Sequence, residues 1–492
     1  MSDQSLKDKT VQGTFWSAAD AFLGQGVTFV VGIILARMLT PAEYGLIGIV
    51  LIFTVILSGV VDSGFSNAII RKKDTTSEDY NTMFITNLLM SIAMFSFLYV
   101  AAPFIALFFE RQELLHLCRV MGLILIIQAL SITQTTILTK EIDFKTKTKA
   151  SLFSALVSGG IGIGMAYAGS GVWALVAQQV SRHLFYTIAL WTLVHWWPKL
   201  SFNKDSFRYM WDFGWKLMVS GLLNNIWNQL YQVVVGKFYS PATLGQFTRS
   251  NEYASIFSSN FTSIIQRVTY PVLSSIQDDK CRLVAAFRET IKLNMFITAI
   301  VMFSIGAVAE PLIFCLIGPQ WYEAATYLPL ICVSMSFYPL HALNLNMLQV
   351  LGRSDIFLYI EIIKKIITVF PLCLGIFVSI YWMLWGSVLV GIISFFLNSY
   401  YTGKQLNYSS WKQLLDILPC YTIAFLVALP MFFLKYLPLN SFLILSIQLI
   451  TGVLVCIIIG EVSNNKEYTE LKRIFILSVC KIKSIIKCRA KS

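Results

Sequence analysis

Charge is scarce in this sequence. Asp, Glu, Lys and Arg make up 13% of its 492 residues, against roughly a quarter in a soluble globular domain. That shortage excludes a water-soluble enzyme of ordinary composition. Histidine is scarcer still: His116, His183, His195 and His341 are all there are, and no two stand at helical ligand spacing, which argues against a metal site. The nine cysteines contain no Cys-x-x-Cys pair and mostly fall within apolar runs, so they read as packing thiols. No Asp-x-Asp occurs to hold a metal-bound sugar nucleotide. The apolar runs do not alternate with polar residues, which excludes a membrane β-barrel.

What is present is apolar length. Hydrophobic residues make up 56% of the chain, and mean hydropathy is +0.68. Runs of about twenty apolar residues recur from end to end, each long enough to cross a bilayer as a helix. We read about fourteen spans: 12–37, 43–69, 80–108, 114–139, 149–168, 172–195, 210–238, 246–270, 290–317, 322–349, 354–379, 381–402, 416–436 and 439–460. The segment after the polar residues 1–10 is too long for the core of a signal peptide. The formal net charge of +12 sits in loops on one side and is therefore not a nucleic-acid signal. Arg71–Lys73, Lys140–Lys149, Lys199–Arg208, Lys280–Arg288, Arg353, Lys404, Lys412 and the tail lie in one set of alternating loops. The opposite loops hold only Arg37, Arg111, Lys237 and Lys435. The positive-inside rule then places both termini in the cytoplasm.

The chain repeats itself. Arg37-Met38-Leu39-Thr40-Pro41-Ala42-Glu43-Tyr44-Gly45 returns as Lys237-Phe238-Tyr239-Ser240-Pro241-Ala242-Thr243-Leu244-Gly245. Asp143 pairs with Asp355 and Trp173 with Trp385 at an offset of 212 residues, against 200 for the hairpins. The extra residues fall around Gln277–Glu289, which reads as an amphipathic interfacial helix. Six spans is an even number, so the two halves share one orientation. The expected fold is an all-α polytopic membrane protein of two parallel six-helix lobes, 1–200 and 201–405. Two further helices, 406–462, and a basic cytoplasmic tail, 463–492, follow. The loops leave no room for a catalytic domain.

An ionisable side chain inside a span costs at least about 2.5–3.5 kcal/mol and so faces a cavity or a partner. Arg37, Lys237 and Arg249 gather at the outer ends of the repeated hairpins, and Lys216 and Arg267 at the inner ends. Arg182 lies in the middle of the sixth span with Gln178 and Gln179 one turn away. Basic mouths on both sides suit an anionic cargo, and phosphate matches Arg and Lys well. Asp20, Asp62 and Glu252 are the acids available to carry a coupling ion. Competing structural readings stand beside these. Arg37 and Lys237 can snorkel. Arg249 and Glu252, and Glu361 with Lys364 and Lys365, can pair along one helix. Asp62 can end a helix, and Thr40-Pro41 and Ser240-Pro241 can simply start one.

Several motifs in fixed order resemble one family. They are Ala36–Gly45, Asp62-Ser63-Gly64-Phe65-Ser66-Asn67-Ala68 through Asp74, Lys140–Phe144, Gly171–Gln179, Asp212-Phe213-Gly214 and Tyr270–Ser274. Together they resemble the Wzx-type and colanic-acid-export flippases of the multidrug/oligosaccharidyl-lipid/polysaccharide exporter superfamily. The resemblance implies lobes around a cationic cavity, and the flipping of an undecaprenyl-diphosphate-linked oligosaccharide across the bacterial inner membrane for surface polysaccharide synthesis. It implies diphosphate-binding Arg residues at Arg37 and Arg249, with no counterpart on the second helix, where Arg71 falls at the extreme end. It also implies an H⁺ or Na⁺ gradient in place of a bound cofactor. The expected partners are lipid-linked oligosaccharide, the bilayer and other polysaccharide-assembly proteins, and the expected state is a monomer. Export of cationic drugs is the alternative within the superfamily, and the excess of Arg and Lys argues against it. A membrane polymerase or ligase is the alternative among enzymes, and the short loops argue against that.

Overall fold

The computed structural model describes residues 23–62, 64–463 and 466–473, without the side chains of residues 260, 264, 267 and 268. Among the described residues no strand occurs, and α-helices follow one another throughout. A bilayer dictates this, because a spanning segment must satisfy every backbone N–H and C=O within itself. Nine helical segments among the described residues are long and apolar enough to cross a membrane, from Pro41–Arg71 to Ser441–Val462. The protein is a multi-pass, all-α membrane protein. Residues 25–38, 172–193, 204–238, 241–275 and 354–377 are also helical where spans are expected, but fall short of the same length or apolar content. The first of these is short because the start of its expected span lies outside the described residues. The other four carry the polar residues singled out above, Arg182, Lys216, Arg249 and Glu361 among them. The count of fourteen is not fixed by apolar content.

Contacts divide the chain into two units, Met1–Thr248 and Arg249–Ser492. The first contains α1 (Gln25–Met38), α2 (Pro41–Asp62), α3 (Phe65–Arg71), α4 (Ser77–Phe108), α5 (Leu114–Met121), α6 (Leu123–Lys140), α7 (Phe144–Tyr167), α8 (Val172–Leu193) and α9 (Lys204–Phe238). It also takes the first two turns of α10 (Pro241–Ser275). The linker before α9 is tied to the start of α4. Asn81 Nδ2 donates to Ser201 Oγ (3.0 Å), Lys199 N to Asn81 Oδ1 (2.9 Å) and Asn203 N to Thr82 Oγ1 (3.0 Å).

The duplicated stretch explains itself here. Thr40 N–H and Oγ1 both donate to Glu43 Oε2, at 2.7 and 2.9 Å, and Glu43 N–H donates back to Thr40 Oγ1 at 3.4 Å, a capping box that starts α2. Thr243 N–H donates to Ser240 Oγ (3.1 Å) at the start of α10. One turn on, the two helices cross with their backbones touching. A Cβ on Gly45 would stand 1.8 Å from the Pro241 carbonyl oxygen, and one on Gly245 2.0 Å from the Pro41 carbonyl oxygen. Each Gly receives the partner's Pro carbonyl, so the contact is reciprocal. Small residues allow such close approach between membrane helices. Lower down, α2 and α3 run beside α9. A Cβ on Gly59 would meet Asn225 Nδ2 at 2.7 Å, and one on Gly64 would meet the Gly214 carbonyl oxygen at 2.8 Å. The Arg71 guanidinium lies over the Phe213 ring at 5.1 Å. The Asp212-Phe213-Gly214 motif is thus a seat for the end of the second span.

The second unit contains the rest of α10, α11 (Lys280–Ala307), α12 (Ala309–Leu316), α13 (Tyr322–Ser336), α14 (Tyr338–Val350), α15 (Ser354–Phe377), α16 (Ile380–Leu406), α17 (Ser410–Phe433) and α18 (Ser441–Val462). The expected interfacial helix over Gln277–Glu289 is instead the first turns of α11, capped by Asp279, whose Oδ1 accepts from Arg282 N at 3.1 Å. The reason is register. Leu283, Phe287, Ile291 and Met295, spaced four apart, form one buried stripe packed with Leu343, Met347, Phe395 and Ile417. Helix α17 lies along α11, and Asp416, only 7% exposed, fastens them. Its carboxylate accepts from Arg288 Nη2 (2.6 Å) and the Tyr408 hydroxyl (2.6 Å), and pairs with Lys292 Nζ at 3.1 Å. Burial first, and then Asp416, push the Tyr408 phenol upward, so it remains a donor at physiological pH.

Two outcomes follow from this packing. Gly45→Ala forces backbone apart and lowers stability by about 1–3 kcal/mol or more, read as a fall in thermal unfolding temperature in detergent. Gly48→Ala, whose Cβ would have its nearest neighbour at 3.6 Å, is nearly neutral and serves as the control. Asp416→Asn strips the charge from a carboxylate that faces two cations. With those cations part-exposed, the cost is about 2–3 kcal/mol, below that of breaking a fully buried pair. Hydrogen exchange is expected to rise over residues 410–436, and an unchanged profile contradicts the fastening role.

Candidate functional site

The expected site residues fall in different settings. Arg182 (α8) and Asp62 (α2) line one cavity of about 510 Å³ inside the first unit. Its wall is rich in hydroxyls because α6 presents a polar stripe at helical spacing, Gln128, Ser131, Thr135 and Thr139. Lys147 and Ser151 close it from α7, and His183 and Tyr186 join Arg182 from α8. Ser66 Oγ donates to Asp62 Oδ1 at 2.5 Å, and Thr136 Oγ1 lies 3.0 Å from Ser66 Oγ and donates to it. The helical stripe on the fourth span and Lys147 were missed in sequence as site residues. The signal was present in the spacing of 128, 131, 135 and 139, but no charge drew attention to it.

Asp62 ends α2. Gly64 follows in the left-handed region, φ +68°, and α3 begins at Phe65. Asp62 thus ends α2, as the helix-end reading expects, and also lines the cavity.

The basic residues at the hairpin ends differ from one another. Arg37 is exposed in the last turn of α1. Lys237, its counterpart, pairs with Glu110 at 2.8 Å and lies over the Phe108 ring at 5.2 Å. That hydrogen bond from Lys237 holds the Glu110 carboxyl below the usual carboxylate range. With the folded value depressed, the pair's contribution is complete above the unfolded value and is lost as pH falls through the folded one. Lys216 is exposed on α9, two residues beyond Gly214. In the second unit Arg249 Nη1 pairs with Glu252 Oε2 at 2.5 Å, the same-helix pair its spacing allows. Glu361 and Lys364 pair in the same way. Arg267 lies on α10, and its side chain is outside the described residues, as is all of Asp20. Among the described residues no three acids, histidines or cysteines come together as a metal site.

The geometry allows two kinds of chemistry. A hydroxyl-lined cavity holding Asp62 with Lys147, Arg182 and His183 can admit water and move or hold a proton. Arg and Lys at helix ends can hold phosphate oxygens.

Known proteins match this chain over most of its length. Teichuronic acid biosynthesis protein TuaB of Bacillus subtilis is 22% identical over 416 residues, which cover 83% of this chain and 86% of that protein. Succinoglycan biosynthesis transport protein ExoT of Rhizobium meliloti is 24% identical over 365 residues, 74% of each chain. Among solved structures, the inward closed conformation of the lipid II flippase MurJ has the same fold. It matches with a TM-score of 0.70 at 16% identity, over 94% of this chain and 99% of that one. A family described as polysaccharide biosynthesis proteins matches residues 34–326, more than half of the sequence, and this chain belongs to that family.

Proposed function

We propose that this protein is a flippase that moves an undecaprenyl-diphosphate-linked oligosaccharide from the inner to the outer leaflet of the bacterial inner membrane, for synthesis of a surface polysaccharide. The observation that carries this reading is the polarity of α9 and α10. Each is 35 residues long, yet neither reaches the apolar content of the nine segments that do. Polar faces on helices of a membrane protein line a water-filled path or a partner, because lipid cannot solvate them. These are the helices of the second repeated hairpin, and they carry Lys216, Lys237, Arg249 and Arg267. A path lined by cations suits a diphosphate and repels cationic drugs.

The family, the relatives named for teichuronic acid and succinoglycan biosynthesis, and the fold shared with a lipid II flippase support this cargo class over an enzyme reading. The two homologous halves, 1–200 and 201–405, would alternate access, with both termini in the cytoplasm. Arg37, Arg249 and, once released from Glu110, Lys237 would meet diphosphate on the outer side, with Lys216 and Arg267 on the inner side and Arg182 within the first half. The reciprocal crossing at Gly45 and Gly245 would then lie at the outer ends of these helices. An H⁺ or Na⁺ gradient would drive the cycle, with Asp20, Asp62 and Glu252 as candidate carriers.

Complementation in a strain lacking its flippases tests the assignment. The wild-type chain restores surface polysaccharide, and Arg249→Ala lowers it roughly tenfold, the worth of one charge-assisted hydrogen bond, with normal membrane insertion. Lipid-linked oligosaccharide accumulates in parallel. Full export by a variant lacking both Arg37 and Arg249 contradicts the diphosphate role, and failure of the wild-type chain to restore export contradicts the flippase reading.

A further inference from the structure

We propose that Asp62 is a proton-binding site, reached through the hydroxyl-lined cavity, whose protonation resets the helix break between α2 and α3. The break is fixed by Gly64, whose φ of +68° no helix interior contains. Asp62 is the last residue of α2. Its ionised form is compensated across the break, where Ser66 Oγ, on α3, donates to Asp62 Oδ1 at 2.5 Å. Thr136 Oγ1, on α6, donates either to Ser66 Oγ at 3.0 Å or to the Ile132 carbonyl at 2.9 Å, so it can leave the chain without losing a partner. Protonation turns one Asp62 oxygen from acceptor to donor and removes the charge that orders Ser66 and Thr136.

Access and ion identity come from the cavity. Asp62 lines it with Lys147 of α7 and with Arg182, His183 and Tyr186 of α8, while α6 contributes only uncharged Ser, Thr and Gln to the polar wall. On the other side of the break, α9 carries Asp212 and Lys216 around Gly214. One carboxylate among hydroxyls, with Lys147 and Arg182 in the same cavity, is too small a set of anionic ligands for a metal cation, whereas a proton delivered through water and hydroxyls adds to Asp62 without needing a ligand shell. The consequence reaches α9. A Cβ on Gly64 would stand 2.8 Å from the Gly214 carbonyl oxygen and 2.9 Å from Leu217 Cβ, so backbone at the break cannot shift without moving against that helix. The proton would thereby act on the hairpin helix that bears Lys216. Use of this switch to drive export rests on the flippase reading, but the switch itself does not.

Infrared difference spectra of the purified full chain in lipid nanodiscs, taken across pH, test the site without cargo. A protonated-carboxyl band is expected to appear on acidification and to be lost in Asp62→Asn. Hydrogen exchange over residues 60–71, taken relative to the intrinsic amide rate at each pH, is expected to rise on acidification in the wild type. It is expected to stay at the acid level at every pH in Asp62→Asn, and to be raised at neutral pH in Ser66→Ala. A band that survives Asp62→Asn, or exchange over 60–71 that ignores pH in the wild type, overturns the proposal. Complementation separates the two readings. A pH-dependent switch in a chain that restores no export leaves the proton site standing and removes the flippase. Restored export with no titration at Asp62 does the reverse.

Discussion

A polar group in the hydrocarbon core has no water to turn to, and that constraint organises this protein. Backbone amides are satisfied by making the described chain helical wherever it runs through apolar sequence. Several side-chain charges, each costing at least about 2.5–3.5 kcal/mol at the bilayer centre, are paired or gathered. Arg249 takes Glu252 on its own helix, Lys237 takes Glu110, and Asp416 takes Arg288 and Lys292. Asp62 and Arg182 instead share a cavity walled by Ser and Thr. The pairs hold helices together or hold cations at helix ends, whereas the cavity is where water can enter and chemistry can happen.

Lipid offers little hydrophobic drive between helices, so close backbone packing has to hold them. The crossing of α2 and α10 shows how far this goes, with Gly45 and Gly245 each under the other helix's Pro carbonyl. Duplication explains the symmetry: one hairpin, copied, meets its own copy through the same residues. The contact is therefore the physical meaning of the repeated Pro-Ala-x-x-Gly. The same logic places Gly64 on Gly214 and joins a left-handed break to the helix that carries Lys216.

Much of this was legible in sequence because long apolar runs and loop charge are one-dimensional signals. The helices over the expected spans came from run length alone. The same-helix pairs Arg249–Glu252 and Glu361–Lys364 came from i, i+3 spacing. What was not legible depended on partners distant in sequence. Thr40-Pro41 read as a helix start, and the capping box confirms it, but nothing local announces that Gly45 faces Pro241. Asp62 read as either a cap or an ion carrier, and only the position of Gly64, Ser66 and the α6 hydroxyls shows how it is both a helix end and a cavity acid. The segment Gln277–Glu289 was misjudged because its amphipathic pattern was cut from its continuation: the stripe from Leu283 runs on in register to Met295.

The central claim is movement of a lipid-linked anionic glycan between leaflets by this chain alone. Purified protein reconstituted in liposomes with an undecaprenyl-diphosphate oligosaccharide, probed by a membrane-impermeant glycosidase, measures it directly. The enzyme is expected to digest the protected inner-leaflet pool in protein-containing liposomes once an H⁺ or Na⁺ gradient is imposed, while protein-free liposomes keep it intact. An inner pool that stays protected in the presence of folded protein and a gradient contradicts the claim.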